Sequence, residues 1–367
     1  MNNKNYLSQL TWIRGVAAFV VVIAHVTRAT EVSYTVSDEA VKYVWLSIFD
    51  LGTFGVLLFF ALSGCTLCIS NGNSLTFYQV HKFYMKRFFR IWPAYVVSLF
   101  LYILFRWVFQ LLYVEPIGAW IENQFFLPID MSVLLAYLTL VFNITGQGEV
   151  FNNAYWSLPI ELQYYLLFPI LIFSVRYVGI WAPLVIGSLL YFVPMAFEFH
   201  TFNPQVFSLA FSFCGGVIVG SSLGKSKLSF VNGWSLLSIL LCFLFVTLVS
   251  NSYIDLSNIP VVSNLWNLYG IMAIVTCFIV LHSKVSLPNR LESFLEHYGN
   301  ISYSTYLYHN IFIGVAVLAI INFPIESPLQ RVSFTLCFTL IATYFLASLS
   351  YKYIEQPFIR HGRNLFH

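Results

Sequence analysis

Two ionisable residues stand inside the first long apolar run of the chain, Arg14 and His25 of the segment Leu10–His25. Eleven residues separate them. At about 100° per residue that is roughly three turns plus 20°, so both side chains project from one face of a helix, about 16 Å apart along its axis. Ionisable groups at such depth are costly and face a bundle interior or a wet cavity. The plainer alternative is an arginine that snorkels to the inner interface and a histidine that bonds a neighbouring helix. Two on one face read better as stations along a polar passage. A neutral imidazole there suits a general base whose basicity is set by a partner carboxylate.

A second group is basic and aromatic: Lys82, Lys86, Arg87 and Arg90 among Phe83, Tyr84, Phe88, Phe89 and Trp92. Positive-inside charge with an aromatic belt accounts for its composition. Arg87 and Arg90 are spaced i, i+3 on one helical face beside Pro93, expected to kink the entry into the third span. Such a fork, with Lys86 beside it, also suits the phosphates of a cytoplasmic nucleotide-like co-substrate.

Glu161 is the third candidate. Placed near the outer part of the fourth span, it is the one acidic residue set well within a span, and His25 or Arg14 is its natural partner. The run Gly299–His309 puts His309 a third of the way through the ninth span, either lining a cavity or bonding a neighbour. Ser63-Gly64 is a helix-packing pair or a place where backbone admits a ligand. Tyr353–Arg360 reads as a structural inner cap. Cys65-x-x-Cys68 has no second pair or histidine at zinc spacing, so no metal site is expected.

The elements that must position these groups follow from composition. Hydrophobic residues make up 59% and charged residues 9%, with a mean hydropathy of +0.78, against about 25% charged in a soluble globular chain. Apolar runs of about 20 residues indicate an all-α, polytopic transmembrane bundle and exclude a β-barrel, whose segments alternate. Ten spans are expected, roughly 10–29, 47–70, 91–113, 155–175, 179–197, 205–222, 233–250, 264–282, 301–321 and 330–352, within one membrane-embedded domain over 1–367. The stretch 131–142 is too short to cross. Lys and Arg cluster in the inner segments, leaving Arg28, Lys42 and Arg331 outside, which puts both termini in the cytoplasm. The short polar amino terminus is read as leading into an uncleaved anchor, and the tail after 352 as too short for a soluble domain. No internal repeat is visible, which weakens an inverted-repeat transporter reading.

In this order the blocks resemble the acyltransferase 3 family of integral membrane O-acyltransferases. The motifs are Leu10-x-x-x-Arg14-Gly15-x-Ala17-Ala18 with His25, Ser63-Gly64, Arg87-x-x-Arg90-x-x-Pro93, Trp156-Ser157-Leu158-x-x-Glu161-x-x-x-Tyr165, Ile301-Ser302-Tyr303-x-x-Tyr306-Leu307-Tyr308-His309 and Ile354-Glu355-x-Pro357-Phe358. The chain departs from the family pattern at Cys65, usually Phe and expected to alter cavity shape, and at Lys86, often Arg. The esterase-like domain fused to some members is not expected on this chain.

The resemblance implies transfer of an acyl group, commonly acetyl, from a cytoplasmic acyl-coenzyme A to a hydroxyl of a glycan or similar acceptor in a bacterial inner membrane. Acyl-CoA is then a co-substrate rather than a resident cofactor, the bilayer is the surroundings, and no nucleic acid is a partner. His25, Arg14 and Glu161 are the expected catalytic group, with Glu161 holding the imidazole tautomer. Arg87, Arg90 and Lys86 are expected to bind the donor, and Ser63, Tyr165 and His309 the acceptor. An exporter of polysaccharide or lipid-linked sugar is the rival reading, though it has no evident need of an inner phosphate site.

Overall fold

Amide groups in hydrocarbon find no water, so each apolar run must close its own hydrogen bonds as a helix. A computed structural model describes residues 3–34, 50–71, 76–112, 119–147, 150–197, 205–223, 237–239, 241–246, 265–283, 288–323, 325 and 327–365. It is an all-α, multi-span membrane architecture. The helices are α1 (Asn3–Tyr34), α2 (Leu51–Asn71), α3 (Phe77–Leu112), α4 (Ala119–Phe125), α5 (Met131–Leu138), α6 (Ser157–Tyr177), α7 (Ala182–Ala196), α8 (Ala210–Ser222), α9 (Leu265–His282), α10 (Asn289–Asn300), α11 (Ser302–Asn322), α12 (Pro328–Ser350) and α13 (Gln356–Asn364).

Among the described residues, seven helical segments are long and apolar enough to cross a membrane: those containing α1, α2, α3, α6, α8, α11 and α12. The expected spans 179–197 and 264–282 appear as α7 and α9, which fall short of that measure. Much of the expected span 233–250 lies outside the described residues.

The centre of the bundle is set by small residues. On α8, Ser212, Gly216 and Gly220 recur every fourth position and face α2. A Cβ on Gly216 would lie 2.0 Å from the Ala61 carbonyl oxygen, and one on Gly64 would lie 2.2 Å from that of Phe213. Only glycine permits this approach, the membrane mode of packing by small residues. Ser212 Oγ donates to the Leu57 carbonyl at 3.0 Å, and Cys68 Sγ lies 3.0 Å from Ser221 Oγ. Cys65 is buried in this crossing, facing Gly220, and does not shape the cavity below.

Helices α1 and α11 lie side by side and run in the same direction. Gly15 and Gly299 meet at the beginning of this pair; a Cβ on Gly299 would be 1.8 Å from the Thr11 carbonyl. Helix α2 runs opposite to α1, with Gly52 against Ala24 and Gly55 against Val21. At that antiparallel register Ser63 falls level with the Trp12–Arg14 turn.

Two segments depart from expectation. Residues 82–90, which lie before the expected span 91–113, form the early turns of α3, which runs on through Pro93. Phe83 stacked on Phe168, and Phe89 on Phe358, support that extension. The segment between α5 and α6 folds back into the bundle. Leu140 takes a left-handed φ of 56° at the end of α5 and the chain turns inward, burying Phe142, Phe151 and Tyr155. Asn152 Nδ2 then donates to the Leu307 carbonyl at 2.9 Å, and Asn310 Nδ2 to Asn152 and Asn153 Oδ1 at 2.6 Å each. These bonds to α11 start α6 deep in the bundle.

Candidate active site

The deep start of α6 decides where Glu161 goes. Glu161 was expected near the outer part of its span, beside His25; it sits instead at the level of Arg14. It shares with Arg14 and Arg90 a cavity of about 30 Å³, room for about two waters. Ser157, Tyr165, Ser302, Tyr303 and Tyr306 supply most of the remaining polar lining. Phe59 packs edge-on against Tyr306 at 6.1 Å.

The Glu161 carboxylate accepts from Ser63 Oγ at 3.1 Å and from the Tyr165 hydroxyl. Ser63-Gly64 therefore serves both readings at once: the glycine packs against α8 while the serine reaches the carboxylate. Glu161 is thus bonded to Ser63 and Tyr165, at the level of Arg14 rather than of His25.

Three guanidiniums converge here. Arg14 and Arg87 lie within electrostatic reach of each other, of Arg90 and of the Glu161–Tyr165 pair. Arg87 sits 5.8 Å from the Phe83 ring centroid and 5.7 Å from that of Tyr165, a cation–π bracket. Among the described residues the one ion pair is Arg28–Asp50 at 3.1 Å, so none of the three is neutralised by direct contact. Arg14 Nε and Arg87 Nε are buried without a hydrogen-bond partner. Buried donors left open next to a cavity are what an anionic ligand would satisfy. Lys86 does not line the cavity; the charges it faces are Lys82, Arg363 and Arg87.

A second acidic residue was missed. After α12 a π-helical turn, Tyr351–Glu355, carries Glu355 into the interior. Its Oε1 accepts from Ser304 Oγ while Oε2 is buried without a partner, and its charge reaches Arg14 and Arg90. The stretch read as a plain cap thus delivers a carboxylate to the cavity's flank. Other unforeseen contributors are Asn152, Asn310 and Tyr306, which accepts from Ser157 Oγ at 2.7 Å and donates to the Ala154 carbonyl. An asparagine within an apolar span was the available signal for Asn310.

His25 and His309 lie farther along α1 and α11. Their ring centroids are 5.1 Å apart at 56°, and His309 in turn lies 6.0 Å from the Tyr306 ring. Tyr306, His309 and His25 therefore form a continuous line leading from the cavity. The structure brings Arg14, Arg90, Glu161 and Tyr165 together, places Arg87 and Ser63 immediately behind them, and sets the two histidines one level beyond.

A family model for an acyltransferase domain, acyltransferase 3, matches residues 7–348. No curated protein and no solved structure matches the chain significantly.

Proposed function

The chain belongs to the acyltransferase 3 family, and from that premise we propose that it moves an acyl group, acetyl by preference, from a cytoplasmic acyl-CoA to a hydroxyl of a cell-envelope glycan or related carbohydrate. In this reading residues 1–367 form one domain of ten spans in a bacterial inner membrane, with both termini cytoplasmic. The observation that carries it is the set of three guanidiniums without an ion pair among the described residues, two with unspent Nε donors, at the foot of a line ending in two histidines.

The coenzyme A phosphates dock on Arg87 and Arg90, with Lys86 adding charge at the entrance. The pantetheine arm extends past Arg14, its reach of on the order of 15–20 Å matching the ~16 Å rise from Arg14 to His25. Passage needs Phe59 and Tyr306 to swing aside, because the cavity holds only about two waters.

His25 takes the proton of the acceptor hydroxyl. The oxygen attacks the thioester carbonyl carbon, the C–S bond breaks, and the departing thiolate takes up the proton from the imidazolium. Arg14 orients the donor and meets developing negative charge. Ser63 and Tyr165 hold Glu161 where it balances the guanidiniums, and their contact with the acceptor is given up in favour of that role.

The test uses purified protein in liposomes with labelled acetyl-CoA and extracted envelope glycans. Wild type should release coenzyme A and transfer label, and His25→Ala should lose about 10²–10⁴-fold of turnover. Folded wild type that consumes no acyl donor, but moves a lipid-linked sugar, would make this an exporter.

A further inference from the structure

We infer that His309 is a positioning residue that fixes the tautomer of His25, so that the two act as a paired-imidazole unit. This rests on the reading of His25 as base, and it assigns to α11 the task the sequence had suggested for Glu161.

His309 is fully buried, and His25 nearly so. His309 Nδ1 lies 3.1 Å from the Thr305 carbonyl oxygen, one turn earlier on α11. A carbonyl only accepts, so Nδ1 carries the hydrogen, and in a neutral ring the lone pair is then on Nε2. That Nε2 is buried without a partner, and so is Nδ1 of His25. Two orphaned nitrogens on adjacent rings are complementary when His25 carries its hydrogen on Nδ1.

The distance allows it. With centroids 5.1 Å apart, nitrogens turned toward each other come to about 2.8 Å, within hydrogen-bond range. Rotation of the rings from their 56° tilt is what would bring the two nitrogens to that separation. His25 is then left with a lone pair on Nε2, free to take a proton from an acceptor hydroxyl. Without His309 the isolated imidazole prefers its hydrogen on Nε2, which removes that lone pair. The contact of Gly15 on α1 with Gly299, at the end of α10 just before α11 begins, keeps α1 and α11 close enough for the rings to meet.

The experiment is nitrogen-15 NMR on histidine-labelled full-length protein in nanodiscs, the His25 signals being assigned by their loss in His25→Asn. In wild type, His25 should carry its hydrogen on Nδ1. His309→Leu fills the space but accepts no hydrogen bond, and should return His25 to the Nε2–H form. His309→Gln supplies an amide oxygen and should retain Nδ1–H.

Acyl transfer is measured on the same samples. His309→Leu should lower kcat by about 10²-fold or more with donor KM within twofold, and His309→Gln should keep a tenth or more of kcat. A merely structural His309 would leave the tautomer unmoved. His25 found as Nε2–H in wild type, or the same tautomer and kcat in Leu and Gln variants, overturns the proposal. The tautomer is read without turnover, so failure of the acyl-transfer reading shows separately, as a correct tautomer in a protein that consumes no donor.

Discussion

Gly216→Ala should uncouple the site from the scaffold that holds it. The added Cβ would lie 2.0 Å from the Ala61 carbonyl oxygen, where ordinary contact begins at 3.4 Å. Relief requires α2 and α8 to part by about 1.4 Å, because a backbone carbonyl in a helix cannot rotate away. Forcing a packed interface apart costs about 1–3 kcal/mol, and at about 2 °C per kcal/mol for a chain of this size the melting midpoint falls by roughly 2–6 °C. The functional cost should be larger in proportion. Ser63 stands two residues beyond Ala61 and holds Glu161 at 3.1 Å, so half that displacement breaks the bond. Misplacement near 1 Å in a positioning shell costs about 10²-fold in rate. The assay is thermal unfolding in detergent together with coenzyme A release under saturating acyl-CoA at a temperature well below both melting points. A variant that melts within about 1 °C of wild type and turns over at full rate would refute the close approach at this crossing.

Other perturbations test separate parts of the molecule. Arg90→Ala should raise donor KM by tenfold or more while kcat falls less, as expected for binding shared by ground and transition states; an unchanged KM in steady-state kinetics would remove Arg90 from the donor site. Phe59→Ala should open the cavity toward the histidines and raise acyl-CoA hydrolysis in the absence of acceptor, because water then reaches the thioester. Arg28→Ala should cost under about 1 kcal/mol, since its pair with Asp50 is exposed, and a larger loss in a denaturation series would show that the pair does more than latch α1 to α2. Asp130 caps α5, accepting from Val133 N–H at 2.8 Å and Ser132 Oγ at 2.7 Å, and these bonds hold its carboxyl below the ordinary range. Protection of the 131–138 amides should therefore be full above about pH 4 and fall as pH drops through the lowered value; Asp130→Ala should show reduced protection at every pH.

What was legible in the sequence was chemistry at fixed spacing along single helices. Arg14 and His25 on one face, and Arg87 and Arg90 three apart, needed only the helical repeat, and the structure places all four beside the cavity or along the line leading from it. Glu161 was misplaced because depth was counted from the nominal start of a span. The asparagine bonds to α11 and the turn at Leu140 that carry α6 inward are long-range, and no local periodicity encodes them. Glu355 was passed over because a Glu before a Pro at the end of an apolar run reads as an interface cap. It is the five-residue π turn that rotates it inward, and a π turn has no signature in single-sequence pattern. The short helices α7 and α9 show the same limit: apolar content was plain, but helix ends depend on neighbours.

The charge balance of the cavity explains why these misplacements matter together. Three guanidiniums brought out of water without compensation would be prohibitively costly. Had Glu161 stood beside His25, Arg14, Arg87 and Arg90 would have faced each other with Glu355 alone. With both acids nearby the cluster is partly compensated, and three guanidiniums against two carboxyl groups leave it cationic. Neither carboxylate is spent in a direct ion pair: Glu161 is held by two hydroxyls and Glu355 by another. Hydroxyl donors anchor the acids at a distance while the guanidinium N–H groups stay open. An arrangement tuned only for stability would close those pairs, since leaving buried donors unmet costs about 1–3 kcal/mol each. The sacrifice is understandable if, as proposed, the site takes up the phosphate oxygens of the donor, and it points to the same face of α3 that the arginine spacing had marked.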